Sequence, residues 1–216
     1  MSTIRWAQLN PDKAGTPSLS PKSLEELDLE LVPMSPEFLA VMLEGHGKPD
    51  QAFEEIRLWG GWDADDAAVI SYRLTQLREK PELQPWLMHA IVRCSDQQMV
   101  GHVGFHGAPG LYSLGHAFPG ALEIGYTVFA PFRRRGYAAC AVAALIKWAR
   151  TERGVSYFVA SINQENVASQ KVVAKVGFKF FRDFVLNDPD REDVYVLQLG
   201  PENSPDAPEA DLGVET

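Results

Sequence analysis

Apolar and acidic positions alternate from Leu27 to Met34 (LDLELVPM), the period of a half-buried strand. Ser35-Pro36 then supplies an N-cap and a proline at the first helical position, and Phe38, Leu39, Met42 and Leu43 recur at helical spacing up to Gly45–Gly47. A second helical stretch is expected around Gln51–Leu58. A third, opened by Asp63-Ala64-Asp65, carries Ala68, Ile70, Leu74 and Leu77 as a buried stripe, and Pro81 to Pro85 closes this block. From Trp86 the period is that of strands: Trp86–Arg93 and Met99–His106 flank a Ser-Asp-Gln-Gln turn as a hairpin. A Gly- and Pro-containing loop, Gly107–Gly120, leads to a third strand of this run, Leu122–Phe129. A long helix follows to about Arg153, with Val142, Leu145, Ile146 and Trp148 on one side. Tyr157–Ile162 is another strand, Asn166–Val176 a helix stopped by Gly177, and Phe178–Val185 and Asp193–Leu199 are two last strands around the turn Asn187–Asp190. This order predicts an α/β layer fold with a mixed sheet.

Length and charge refine the boundaries. A chain of 216 residues, 45% apolar and 23% charged, fits one domain with extensions. Residues 1–26 lack periodicity and are expected to be an N-terminal extension, 27–199 the domain, and 200–216 an acidic tail. That tail holds Glu202, Asp206, Glu209, Asp211 and Glu215 and no base, more than half of the net charge of −9. With three prolines and little to pack, it is expected to be disordered. A mildly acidic domain argues against general nucleic-acid binding, and no window is long and apolar enough for a membrane. The N-terminus does not have the pattern of a secretory signal, and two distant cysteines, Cys94 and Cys140, fit a reducing cytoplasm.

One loop carries candidate chemistry. After Ala130-Pro131-Phe132 come three arginines, Gly136 and the long helix. A helix start leaves backbone N–H groups unpaired and attracts phosphate, Gly136 permits close approach, and arginines make forked phosphate contacts. The Lys-Ser/Thr of the nucleotide P-loop is absent. Taken alone, Arg133–Arg135 read equally well as a solvated surface run.

Arg133-Arg134-Arg135-Gly136-Tyr137-Ala138 resembles the Gln/Arg-x-x-Gly-x-Gly/Ala signature of the GNAT acetyltransferase superfamily. Glu123-Ile124-Gly125-Tyr126 is similar to the "EIGY" strand of its ribosomal-protein N-terminal (alanine and serine) acetyltransferase branch. Asn166-Val167-Ala168-Ser169 and Lys175-Val176-Gly177-Phe178 are similar to that branch's "N-x-A-S … K-x-G-F" block. The resemblance implies a mostly antiparallel sheet of about six or seven strands with helices on both faces. It also implies that Leu122–Phe129 bulges and splays from Tyr157–Ile162, the fourth strand from the fifth. The pantetheine of acetyl-CoA is then expected in that V, with the Val128 N–H near the thioester and Arg133, Arg134, Arg135, Gly136, Tyr137 and Ala138 around the pyrophosphate. Asn166 contacts the cofactor or caps its helix.

Direct transfer needs a neutral amine, and therefore a base. Glu123, on the splayed strand, is the first candidate and His106 the second, each with an ordinary structural alternative; His102 and His116 rank lower. The position seven after Asn166, a tyrosine in many family members, is Val173. The resemblance therefore points to Ser169 as proton donor to the leaving thiolate and as a cofactor contact, although a helical serine also bonds to its own backbone. Cys140 is expected in the core, and Trp59, Trp62 and Trp86 in an acceptor pocket or in the core. The expected activity is metal-free acetyl transfer from acetyl-CoA to a peptide N-terminus or small amine, by a monomer or homodimer. The rival is an acyl-CoA-binding regulatory module.

Overall fold

A computed structural model describes residues 21–44, 55–61, 64–110, 120–184 and 192–200, and of 182–184 the backbone alone. Its strands are β1 (Leu29–Pro33), β2 (Met88–Arg93), β3 (Gln98–Phe105), β4 (Leu122–Val128), β5 (Tyr157–Asn163), β6 (Lys179–Phe184) and β7 (Glu192–Gln198). Its α-helices are α1 (Pro36–Glu44), α2 (Ala64–Glu79), α3 (Tyr137–Arg153) and α4 (Val167–Val176). The strands form one sheet in the order β1-β2-β3-β4-β5-β7-β6. Every neighbouring pair is antiparallel except β4 and β5.

Local sequence sets the described helix ends, with Ser35 and Gly177 in their expected roles. Ser35 Oγ accepts from the Phe38 N–H at 3.1 Å. Gly154 and Gly177 end α3 and α4 in the left-handed conformation. Before β1, Ser23 and Glu26 form a reciprocal capping box (2.7 and 3.1 Å), and Leu24 and Leu27 pack on the core.

Two cores lie on the two faces of the sheet. One joins Val103, Phe105, Leu122, Ile124, Phe158, Ala160 and Ile162 to Val142, Leu145, Ile146 and Trp148 of α3 and Val173 of α4. The other joins Phe38, Leu39 and Met42 of α1 and Ile70, Leu74 and Leu77 of α2 to Met88, Ala90, Val92 and Met99. Helices therefore cover both faces, α1 and α2 on one and α3 and α4 on the other.

Two expectations need correction. The residues of the supposed second helix that are described, Glu55–Leu58, are not helical. Arg57 bridges to Gln98, its N–H donates to the Gln97 carbonyl (2.7 Å) and its carbonyl accepts from Met99 (3.0 Å), so this backbone serves the sheet. The expected bulge in β4 is also absent: β3 and β4 pair in unbroken register from Gly101↔Val128 to Phe105↔Ile124. The irregularity lies one strand away, where Ile91 faces Gly101 but Val92 faces Met99, leaving Val100 as the extra residue of β3. A Cβ at Gly101 would collide with the Thr127 carbonyl oxygen. The extra residue reverses which side chains face which way: Val100 and Val103, three apart, lie in the same core. His102, Gly104 and His106 thereby come to the α1/α2 face. Residues 1–20 of the expected extension, the Gly45–Gly47 helix stop, Trp62 and the expected cap Asp63, the loop 111–119 with His116, the turn 187–190 and residues 201–216 of the tail lie outside the described residues.

Candidate functional site

The sheet opens between β4 and β5. They pair only at Leu122↔Phe158 and Glu123↔Val159; beyond this vertex β4 continues with β3 and β5 with β7. Alternation of antiparallel ladders fixes which backbone groups face the gap. The His106 N–H donates to the Glu123 carbonyl (2.9 Å), so Glu123, Gly125 and Thr127 bond toward β3, while Tyr126 and Val128 turn their backbone groups to the gap. On the far wall the Leu199 N–H donates to the Ser156 carbonyl (2.8 Å), which leaves Ser161 and Asn163 facing in. A gap so lined can accept an extended chain bearing amides.

The loop 133–136 stands at the open end. Its three arginines are exposed. Arg133 turns back, its Nε donating to the Val128 carbonyl at 2.8 Å. Arg134 takes φ +64° and Gly136 φ +87°, so the chain enters α3 through two left-handed residues. Only glycine adopts the second without strain, and no side chain caps the helix start. Tyr137 is buried and Ala138 half-buried, leaving unpaired N–H groups at an exposed, arginine-flanked helix N-terminus.

Both candidate bases meet at the vertex, on the α1/α2 face. His106 Nδ1 lies 3.3 Å from Glu123 Oε2, and the Ser161 hydroxyl donates to Glu123 Oε1 at 2.8 Å. Burial pushes the Glu123 carboxyl up, but the His106 and Ser161 hydrogen bonds and the charges of His106 and Arg73 bring it below its ordinary value. The other ring nitrogen, Nε2, lies over Gly125, where a Cβ would sit 2.9 Å away; glycine leaves room for the imidazole. Arg73 of α2, itself buried, donates from Nη1 to the His106 carbonyl (3.0 Å) and to Gln76 Oε1 (2.7 Å). His102, on the same face, is buried with Nε2 3.8 Å from Asp66 and without a hydrogen bond.

The remaining candidates are on the opposite face or in the cores. Asn166 is the N-cap of α4, its Oδ1 accepting from the Ser169 N–H at 3.1 Å. Ser169 is half-buried, and its carbonyl accepts from the Tyr126 hydroxyl at 3.1 Å. Val173 is fully buried. Cys140 is 1% exposed and burial pushes its thiol up to about 12, as a core residue requires. Trp59 packs on Phe129 (5.0 Å) and Trp86 on Trp148 (5.3 Å). Among the described residues no cluster of three or more His, Cys, Asp or Glu side chains could hold a metal ion, and no helix could cross a membrane. Sequence reasoning missed Ser161, Arg73 and Gln76, which reach the vertex from distant elements. It also gave Tyr126 no role, although the alternation in LEIGYTV puts it on the face opposite Glu123.

A sheet splayed around one parallel pair, with an uncapped, arginine-flanked helix start at its open end, defines an α/β protein of the acetyltransferase type. The chain belongs to the acetyltransferase (GNAT) domain family, whose model matches residues 28–179. It is similar to the uncharacterized N-acetyltransferase YjdG of Bacillus subtilis (strain 168), at 35% identity over 88 residues. That match covers 41% of this chain and about half (48%) of the length of that relative. Among solved structures it resembles the ribosomal-protein-S5-alanine acetyltransferase of Vibrio fischeri (TM-score 0.55, 14% identity, 79% of this chain and 93% of that one). It also resembles yncA of Salmonella typhimurium, solved with its cofactor acetyl-CoA (TM-score 0.55, 19% identity, 83% and 99% covered). At these identities the structural likeness is one of fold.

Proposed function

We propose that the protein is an acetyl-CoA-dependent N-acetyltransferase that moves acetyl directly to a primary amine, with His106 as the base and Glu123 holding it. The observation that carries this reading is the His106–Glu123 pair at the vertex of the splay, 3.3 Å apart. Glu123 is the poorer base: a carboxyl held below its ordinary value stays ionised and accepts protons weakly. Its carboxylate holds the imidazole through Nδ1, which leaves Nε2 to take the amine proton.

The cofactor's route follows the gap. Its pyrophosphate meets the N–H groups and side chains of Arg133–Ala138, and its pantetheine pairs with the inward backbone of β4 and β5. The Val128 N–H, turned toward the gap, is available to the oxyanion. Asn166 keeps its amide NH₂ for the cofactor while its oxygen caps α4. The solved complex of yncA with acetyl-CoA, a neighbour in fold, supports this donor. The acceptor enters from the α1/α2 face, where His106 and Arg73 lie, and is a peptide N-terminus or a small amine. Two free cysteines fit work in a reducing, cytoplasmic setting.

The test is thiol release from acetyl-CoA with a panel of peptides and small amines. Release that depends on an acceptor is expected. Acetyl-CoA binding with no acceptor-dependent release across the panel would overturn catalysis in favour of an acyl-CoA-binding module.

A further inference from the structure

We infer that the Tyr126 hydroxyl is the hydrogen-bond donor to the departing sulphur of the acyl-CoA, so that base and leaving-group donor work from opposite faces of β4. The inference rests on the reading just given. Period-two alternation along β4 sets the geometry: Glu123 projects to the α1/α2 face beside His106, and Tyr126, three residues on, projects to the α3/α4 face. Its ring packs against the α3-side core. Its hydroxyl crosses from β4 to the first turn of α4, donating to the Ser169 carbonyl at 3.1 Å. The phenol therefore spans the gap on the side away from the base, three residues beyond the vertex. Any chain laid in the gap passes beneath it.

α4 offers little competition. Its next turn presents Val173, a core residue with no exposure. The Ser169 carbonyl also lies within the helix ladder, so it is not orphaned when the phenol turns to a new acceptor. Burial pushes the Tyr126 hydroxyl up to about 12, which keeps it protonated at any working pH. It acts as a hydrogen-bond donor and does not surrender the proton.

In the transfer itself, the amine nitrogen forms the C–N bond and gives its proton to His106. The tetrahedral centre collapses, the C–S bond breaks, and its electron pair goes to sulphur. Tyr126 shares its proton with that thiolate as a hydrogen bond. The proton held by His106 reaches the thiol through solvent, leaving the amide and CoA.

The decisive comparison uses Tyr126→Phe, which keeps the ring, and Ser169→Ala. The bound CoA thiol is titrated by its thiolate absorbance, alongside acetyl-CoA affinity, thermal midpoint and kcat. A donor to sulphur holds the bound thiol below its free value; losing it should raise that value by about one unit and lower kcat roughly 10- to 100-fold. Acetyl-CoA affinity should change less than about twofold, since the thioester sulphur accepts only weakly. An unmoved thiol in Tyr126→Phe overturns the inference, even if kcat falls, because a structural anchor would not touch the titration. A thiol that moves in Ser169→Ala and not in Tyr126→Phe overturns it too, in favour of Ser169. Failure of the wild type to bind CoA at all removes the parent reading, a result distinct from binding with an unmoved thiol.

Discussion

At the scale of single residues, the proposed chemistry turns on whether His106 or Glu123 is the base. If Glu123 orients His106, Glu123→Gln should not abolish turnover. It should lower kcat less than His106→Gln does, because the imidazole loses only the carboxylate that holds it at Nδ1. His106→Gln should cost roughly 100- to 10,000-fold in kcat. A larger kcat loss in Glu123→Gln than in His106→Gln would return the base to the carboxylate. Gly136 makes a second residue-scale prediction. Its φ of +87° strains any side chain, and among the described residues the only atom near an added Cβ is Leu27 Cδ1 at an ordinary 3.6 Å, so backbone conformation decides the matter. Gly136→Val should cost about 1–2 kcal/mol of stability and weaken acetyl-CoA binding, read by calorimetry. Unchanged affinity would remove the loop from its assigned role. The candidate side chains Glu123, His106, Asn166 and Ser169 stood out in the sequence because each sits in a short motif or at a strand end. Their pairing was not, because His106 and Glu123 meet only through strand register, and Arg73 and Ser161 join them from α2 and β5.

At the scale of elements, the alternation and helical spacing in the chain located all seven strands and the four helices to within a few residues. The failures had a common cause: backbone bonding to a partner far along the chain. Arg57 gives its N–H and carbonyl to the β2–β3 turn and the start of β3, a use that no local spacing reports. The irregular residue expected in β4 sits in β3, where Gly101 lets the strand press against the Thr127 carbonyl. Gly101→Val should therefore disturb the β3–β4 ladder and misplace His106. A lower thermal midpoint together with a kcat loss larger than any loss of acetyl-CoA affinity is the expected pattern. Equal losses of both would place Gly101 in general stability alone. β2 carries a further consequence through His89, which is 3% exposed with Nδ1 3.2 Å from the Leu87 carbonyl.

For the whole molecule, that histidine links stability to pH. Burial lowers the His89 imidazole to about 4, against an ordinary 6.5 in the unfolded chain, although its bond to Leu87 opposes the shift. Between about 4 and 6.5 the unfolded chain binds the extra proton, so stability is full above that window and falls as pH drops through it. The loss is on the order of 3 kcal/mol at its limit. Denaturant melts should show the slope, and His89→Gln should flatten it; an unchanged slope would mean that other groups dominate. Fold and family were legible because one loop, one strand and one helix start stand in order between Glu123 and Phe178. The acceptor was not, because no motif marks it and the side chains at the vertex come together from α2, β3, β4 and β5. The extra residue in β3 joins these matters in another way. Without Val100 the strand would alternate regularly, Met99 on the α1/α2 face, Gly101 on the other and His102 back on the first, each already opposite its partner in β2. The bulge is therefore like a tuck in cloth: it takes up one residue of length and leaves the pattern on either side of it in step, so deleting Val100 should keep His106 beside Glu123.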